Sequence, residues 1–88
     1  MKKIIDYIAE ELADAFEKAG YDRAYGKVTL SNRPDLCEYQ CNGAMAGAEA
    51  YKKAPFMIAE DVVALLKDSA CMEEVEVVKP GFINIRLK

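Results

Sequence analysis

The segment KPGFINIRLK (residues 79–88) holds the side chains that are best suited to binding chemistry. A strand that follows the Pro80-Gly81 turn places alternate side chains on opposite faces. One alternate set is aliphatic and suits a core: Ile83, Ile85 and Leu87. The other set is mixed: Phe82, Asn84 and Arg86. A ring can stack on an unpaired base, an amide can hydrogen-bond to the edge of that base, and a cation can neutralise a phosphate.

This mixed face has two interpretations. In the functional one, Phe82 stacks on a looped-out base, Asn84 reads its edge, and Arg86 or Lys79 pairs with a phosphate. In the structural one, Phe82 covers the edge of the sheet or meets an interface, and Asn84 and Arg86 are ordinary solvent-facing strand residues. The residue types alone leave both interpretations open.

A second candidate stretch is EYQCN (residues 38–42), where polar and aromatic side chains precede an Ala-rich segment. Tyr39, Gln40 and Asn42 could contact RNA. The residue types favour a structural interpretation. In it Tyr39 packs within the fold, Gln40 is solvated, and Asn42 caps a helix or hydrogen-bonds to the backbone of a nearby loop.

Catalytic signatures are missing from the sequence, which contains no phosphate loop, GxGxxG, HExxH or GxSxG. It also contains no histidine, the commonest general base. Cys37, Cys41 and Cys71 are odd in number and lack CxxC spacing, so we expect reduced thiols rather than a metal site. We expect no enzymatic activity from these residues by themselves and no cofactor bound to them.

Composition is that of a soluble globular domain, with 88 residues, 52% hydrophobic and 31% charged. We therefore expect a single domain over residues 1–88, monomeric and cytoplasmic, with no membrane span and no signal peptide. The net charge of −3 argues against bulk binding of nucleic acid. Residues 79–88, however, carry basic side chains and no acid, so a local basic surface remains possible.

Apolar periodicity predicts the elements that position these side chains. An amphipathic helix is expected over residues 2–19 and ends at Gly20. A short strand follows over residues 27–34, in which Val28 and Leu30 alternate with polar neighbours, and it ends at Pro34. A further short strand is expected before it, near residues 22–26. Residues 35–38 are expected to be a turn or loop. The pattern then predicts a helix from about Tyr39 to Lys53, rich in Ala and Gly and therefore packed closely against a neighbour.

A third helix is expected to begin at Pro55 and to close at Asp68-Ser69. Its apolar stripe would be Ile58, Val62, Leu65 and Leu66. The final elements form an antiparallel hairpin across Pro80-Gly81, whose first strand has Val75 and Val77 on one face. The fold class is therefore α+β: a two-layer sandwich, with an antiparallel sheet of about four strands covered on one face by three helices.

Three segments resemble the N-terminal additional domain of arginyl-tRNA synthetases. That family has a G-D-[FY]-x-x-N-x-A-M segment, an N-P-R-x-I-A-E segment and a closing V-E-[VI]-x-x-P-G-F-[IL]-N hairpin. The corresponding segments here are EYQCNGAM (residues 38–45), APFMIAE (residues 54–60) and VEVVKPGFIN (residues 75–84). Each segment is weakly specific alone, but the three in this order and at this spacing are a strong signal. The likeness covers about residues 2–88.

The resemblance implies a non-catalytic appendage that contacts the D-loop at the outer corner of tRNA(Arg). It implies Phe82 as the stacking residue, Asn84 as the polar reader and a supporting contact near Lys79. The partners would be tRNA(Arg) and the catalytic domain of the same polypeptide, a class I ligase that uses ATP with magnesium. The alternative to RNA recognition is a protein-interaction or structural module that docks through the Phe82 face.

The sequence departs from the family pattern at two places. Cys37-Glu38 replaces the family's Gly-Asp, and Ala54-Pro55-Phe56 replaces Asn-Pro-Arg. The first changes the turn before the second segment, because glycine would have allowed a positive φ. The second loses a helix cap and a basic residue. Both changes affect loop detail and RNA contacts rather than the fold.

Overall fold

The computed structural model describes residues 3–31, 37–67, 69 and 72–87. Within these residues the chain forms three α-helices, one 3₁₀-helix and four strands. The helices are α1 (Ile4–Lys18), α2 (Gly43–Tyr51) and α3 (Pro55–Ala64), and the 3₁₀-helix is Arg23–Tyr25. The strands are β1 (Thr29–Leu30), β2 (Tyr39–Cys41), β3 (Met72–Val78) and β4 (Phe82–Leu87). The α+β fold class is confirmed.

The strands form an antiparallel sheet in the order β1-β2-β4-β3. Opposite residues of neighbouring strands share a face, so the register defines both faces of the sheet. One row runs from Gln40 through Asn84 to Glu76, and a parallel row runs from Tyr39 through Ile85 to Val75. The second row faces the helices, and the first lies on the face that the helices leave uncovered, called the open face below.

The core lies between the helices and the inner face of the sheet. Its largest fully buried side chains are Phe16, Ile8, Leu12, Ile58, Ile83, Ile85, Val62 and Cys41. Burial of one large aliphatic or aromatic side chain contributes about 1.5–3 kcal/mol, so this cluster supplies most of the driving force for folding. The predicted core side of β4 is confirmed at Ile83 and Ile85, while Leu87 is half-buried at its margin.

Local signals explain the ends of the helices. The side chain of Asp6 accepts a hydrogen bond from the backbone N–H of Lys3 at 3.0 Å, which stabilises the start of α1. Gly20 follows its end with a φ of 97°, a conformation that favours glycine. Pro55 is the first residue of α3, as the sequence predicts. No helix among the described residues is long and apolar enough to span a membrane.

The expected close packing of the Ala- and Gly-rich helix is confirmed at the start of α2. A Cβ added to Gly43 would lie 1.7 Å from the backbone oxygen of Tyr25. At Gly47, one turn later, the nearest atoms belong to the Tyr25 ring at 3.5 Å, an ordinary contact. The 3₁₀-helix therefore packs directly on the first turn of α2.

Two predicted elements are wrong. The segment near residues 22–26 forms the 3₁₀-helix instead of a strand, because the Asp22 side chain accepts a hydrogen bond from the N–H of Ala24 at 2.8 Å and closes a local turn. The helix predicted from Tyr39 to Lys53 begins only at Gly43, because residues 39–41 pair with β4 and form β2.

Two residues of the predicted apolar patterns are exposed. Leu30 is 72% exposed on the edge strand β1, whereas its alternate Val28 is half-buried against the core. Leu65 is 48% exposed because it follows the last turn of α3, whereas Leu66 of the same predicted stripe is buried. The predicted helix end at Asp68-Ser69 is wrong, because α3 already ends at Ala64 and residues 65–67 form a turn. The strand end predicted at Pro34 and residues 35 and 36 of the predicted loop lie outside the described residues.

Candidate nucleic-acid interface

Strand β4 presents the mixed set of side chains on the open face. Phe82 and Asn84 are half-buried and Arg86 is exposed, while the alternate residues Ile83 and Ile85 are fully buried. This alternation follows from the pleat of the strand. The ring and the amide predicted as candidate reading groups therefore stand on the same uncovered surface, two residues apart on one rigid strand.

Asn84 is held by a residue from the neighbouring strand. Gln40 lies directly opposite Asn84 in the register of β2 and β4, and its Nε2 donates a hydrogen bond to Asn84 Oδ1 at 2.9 Å. The hydrogen bond joins residues 44 positions apart in the chain. Because both side chains are half-buried, the bond is shielded in part from water and holds the Asn84 amide in one place.

Arg86 forms an ion pair with an acidic residue on the neighbouring strand. Its Nε lies 3.7 Å from Glu74 Oε2, and Glu74 is the residue opposite it on β3. Both side chains are largely exposed, so the ion pair is weak. It nevertheless reduces the net charge that Arg86 offers to a phosphate.

A shallow cavity of about 270 Å³ lies on the open face beside these groups. Its lining comes from β3, β4 and the residue that leads towards β2: Cys37, Glu74, Glu76, Val78, Asn84 and Arg86. Two carboxylates border it, and one of them, Glu76, lies opposite Asn84 in the register. A ligand here meets hydrogen-bond acceptors as well as the amide of Asn84, which suits the edge of a base better than a phosphate.

The turn between β3 and β4 carries the nearby cation. The Lys79 ammonium lies 6.0 Å from the centre of the Phe56 ring, at the outer limit of a cation–π interaction. Phe56 stands in the first turn of α3, at the position where the related family has arginine. The turn itself packs on α3, because a Cβ on Gly81 would lie 2.6 Å from Pro55 Cβ. The positively charged group therefore sits at the end of the hairpin, three residues before Phe82 in the chain.

The structure separates the other two candidates from this face. Tyr39 lies opposite Ile85 on the helix-facing side, where it packs against the core. Asn42 is exposed at the start of α2 and makes no side-chain cap, and it lines a separate pocket with Tyr25 and Lys27. Thus Phe82, Asn84, Arg86 and Gln40 are brought together, Lys79 adjoins them, and Tyr39 and Asn42 stand apart.

The sequence indicates Gln40 as a candidate RNA contact but does not predict its bond to Asn84. It also gives no role to Glu76, which is only a polar strand residue in the pattern, or to Phe56, which is only a replaced arginine. The bond of Gln40 to Asn84 could have been predicted only by placing residues 39–41 in a strand beside β4. Glu76 and Phe56 require the register of β3 and the packing of α3 on the turn, which no local pattern specifies.

The described thiols offer no nucleophile. Cys37 and Cys41 are buried and unpaired, and Cys71 lies outside the described residues. Burial raises the pKa of the Cys41 thiol to about 11, against the smaller lowering effect of a backbone hydrogen bond from Gly43. Cys41 is therefore protonated at neutral pH and acts as a small apolar residue of the core.

Known proteins are similar to this chain over nearly its whole length. A family model described as the arginyl tRNA synthetase N terminal domain matches residues 2–87. The arginine–tRNA ligase of Agathobacter rectalis is 64% identical over 87 residues, and that of Alkaliphilus oremlandii is 50% identical over 88. These matches cover 99% and 100% of this chain. The chain spans only 15% of the length of either ligase.

Solved structures agree on the fold. The crystal structure of arginyl-tRNA synthetase from Plasmodium falciparum superposes with a TM-score of 0.85 at 22% identity, over 100% of this chain and 16% of that one. The Thermus thermophilus arginyl-tRNA synthetase gives a TM-score of 0.81 at 24% identity, over 98% of this chain and 14% of that one. The same arrangement of helices and sheet therefore persists where most of the sequence differs.

Proposed function

The chain belongs to the family of arginyl-tRNA synthetase N-terminal domains, and from that premise we propose that it recognises the D-loop of tRNA(Arg) on behalf of an arginine–tRNA ligase. Phe82 stacks on an unpaired base of the loop, Asn84 hydrogen-bonds to the edge of that base, and Lys79 contacts a neighbouring phosphate. The observation that carries this proposal is the placement of Phe82 and Asn84 together on the uncovered face of the sheet.

The physical chemistry of the face supports reading of a base rather than general binding to RNA. The net charge is −3, and Glu74 and Glu76 stand on the open face itself. Such a surface repels the phosphate backbone at long range, so binding depends on short-range stacking and hydrogen bonds. Sequence-specific recognition of RNA commonly takes this form, with loop bases that are splayed out onto an aromatic side chain.

Within this proposal, Arg86 and Gln40 have secondary roles, and Tyr39 and Asn42 have none on the open face. Arg86 is close to Glu74 and supplies less charge than Lys79. We assign the chemical step, the ATP- and magnesium-dependent attachment of arginine, to the remainder of a longer ligase. The catalytic domain of that polypeptide would be the second partner of this chain.

A chemical-shift titration of the 88-residue chain with tRNA(Arg) tests the proposal. We expect perturbed backbone resonances in the turn and in β4, centred on Lys79, Phe82 and Asn84. Phe82→Ala should weaken binding by about 1–3 kcal/mol through loss of stacking, whereas Phe82→Tyr keeps the ring and should bind like the original chain.

A control is Leu30→Ala, because Leu30 is an exposed apolar residue opposite Tyr39, on the side of the sheet away from the open face. It should leave RNA affinity within about twofold of the original. Perturbations confined to the acidic helix α1, with none in the hairpin, would contradict the proposal and favour a protein-interaction module instead.

A further inference from the structure

The hydrogen bond between Gln40 and Asn84 has a direction. Gln40 Nε2 is the donor and Asn84 Oδ1 is the acceptor, at 2.9 Å. An asparagine amide has one oxygen that accepts and one nitrogen that carries two hydrogens. The bond to Gln40 occupies the oxygen on the β2 side, so the Nδ2 hydrogens remain for other partners.

The neighbour on the opposite side favours the same orientation. Glu76 lies opposite Asn84 in the register of β3 and β4, and an ionised carboxylate only accepts hydrogen bonds. A carboxylate on this side of Asn84 is compatible with Nδ2, which donates, and not with Oδ1, which would meet a second acceptor. The register of Glu76 is therefore consistent with the orientation that the bond to Gln40 gives to the Asn84 amide.

We infer that Gln40 is a positioning residue: it fixes the Asn84 amide so that its N–H donors are offered on the open face, and the site selects a base with an acceptor atom on its exposed edge. This inference rests on the proposed function, since it specifies what Asn84 reads. It also changes the role of Gln40 from an RNA contact to a support for another side chain. At position 4 uracil offers a carbonyl oxygen and cytosine an amine, so the pair separates an acceptor from a donor there with little change of shape. Position 3 has the opposite pattern, so the preference for uridine expected below is for an Asn84 contact at position 4.

Two variants of Gln40 separate positioning from a general structural role. Gln40→Met keeps the length of the side chain but cannot donate, so the Asn84 amide is free to turn. Gln40→Glu can only accept, so it turns Asn84 Nδ2 towards β2 and leaves Oδ1 to face the ligand. Leu30→Glu is the charge control, because Leu30 is exposed on the neighbouring strand β1 but lies on the face away from Gln40 and Asn84.

The probes are two RNA stem–loops that are identical except at one loop position, which is uridine in one and cytidine in the other. The remaining loop positions are abasic, so that no other base competes. Affinity is measured from chemical-shift titration of the 88-residue chain and its variants. Unchanged backbone resonances of β2 and β4 away from the substituted residue show that each variant is folded.

We expect the original chain and Leu30→Glu to prefer the uridine loop by about tenfold. Gln40→Met should bring the ratio close to one, and Gln40→Glu should reverse it. Equal preference for uridine in all four proteins would overturn the inference and leave the proposed function intact. Absence of hairpin shifts with either RNA and with tRNA(Arg) would overturn both.

Discussion

Gly81 in the β3–β4 turn lies against Pro55 at the start of α3, so closely that no side chain fits between them. A Cβ on residue 81 would stand 2.6 Å from Pro55 Cβ and 2.9 Å from its carbonyl carbon. This contact ties the end of the hairpin to the helix layer. Lys79 and Phe82 lie on either side of Gly81 in the chain. The same contact therefore fixes the backbone positions from which the Lys79 and Phe82 side chains extend.

Gly81→Ala should therefore destabilise the domain and disturb the candidate site together. The added methyl group meets backbone as well as the proline ring, so relief requires movement of the turn. We expect a loss of about 1–3 kcal/mol in the free energy of unfolding, with shifted resonances at Lys79 and Phe82. Urea unfolding of the variant measures the first effect, and a midpoint equal to that of the original chain would rule out the packing described here.

Gly43 and Gly47 of α2, of which only Gly43 is too closely packed to accept a side chain, give a matched pair of substitutions. Gly43→Ala places a methyl group 1.7 Å from the Tyr25 backbone oxygen and should cost about 2 kcal/mol or more. Gly47→Ala meets the Tyr25 ring at 3.5 Å and should be neutral or stabilising by up to about 1 kcal/mol, because alanine favours a helix. Thermal unfolding compares them, and equal effects would refute the geometry at Tyr25.

Lys79 and Arg86 should differ in their contribution to RNA binding. Lys79→Met should reduce the slope of log affinity against log salt by about one, as expected for the loss of one phosphate contact. Arg86→Met should change it less, because Glu74 lies 3.7 Å from the guanidinium and already offsets its charge. Titration of a D-loop stem–loop over a series of salt concentrations measures both slopes. Lys79→Arg is the control, and a larger effect at Arg86 would reverse the assignment.

Stability should fall in alkaline solution because of Cys41. Burial raises the pKa of this thiol from 9.0 to about 11. The unfolded thiol loses its proton first, so between these pH values the folded state binds more protons and the free energy of unfolding decreases as pH rises. The total decrease is about 2–3 kcal/mol.

Cys41→Ala isolates this contribution. The variant loses packing and is less stable at all pH values, but its stability should vary less with pH than that of the original chain. Urea unfolding from pH 8 to 11 in the presence of a reductant, with steps of about half a pH unit, gives both curves. Parallel curves would show that the Cys41 thiol titrates alike in the folded and unfolded states.

Long, regularly patterned elements could be predicted from the sequence. Helix α1 has apolar residues at helical spacing and a glycine at its end, and β4 alternates after a Pro-Gly turn. In each case the signal is local and repeated several times. The pattern places Phe82, Asn84 and Arg86 on one face of β4 and Ile83 and Ile85 on the other, and this placement is confirmed. The binding roles of the first three residues remain predictions.

Strand β2 could not be predicted in the same way. It is three residues long, too short for an alternating pattern, and the Ala-rich helix that follows made its residues resemble a helical turn. It is a strand because β4 supplies hydrogen-bonding partners, a contact between residues 44 positions apart. Because the pattern assigns Gln40 to a helix, it does not place Gln40 beside Asn84, and the hydrogen bond between them could not be predicted.

The order of the sheet has a consequence for how the candidate site can open. Gln40 and Asn84 stand on β2 and β4, the two inner strands, and each inner strand also contributes fully buried side chains such as Cys41 and Ile85. Separation of this pair requires loss of the central ladder, which removes the core at the same time. Hydrogen exchange at the amides of β2 and β4 should therefore proceed only through global unfolding. In a sample of a destabilised variant, fewer molecules would be folded, but each folded molecule would keep an intact site.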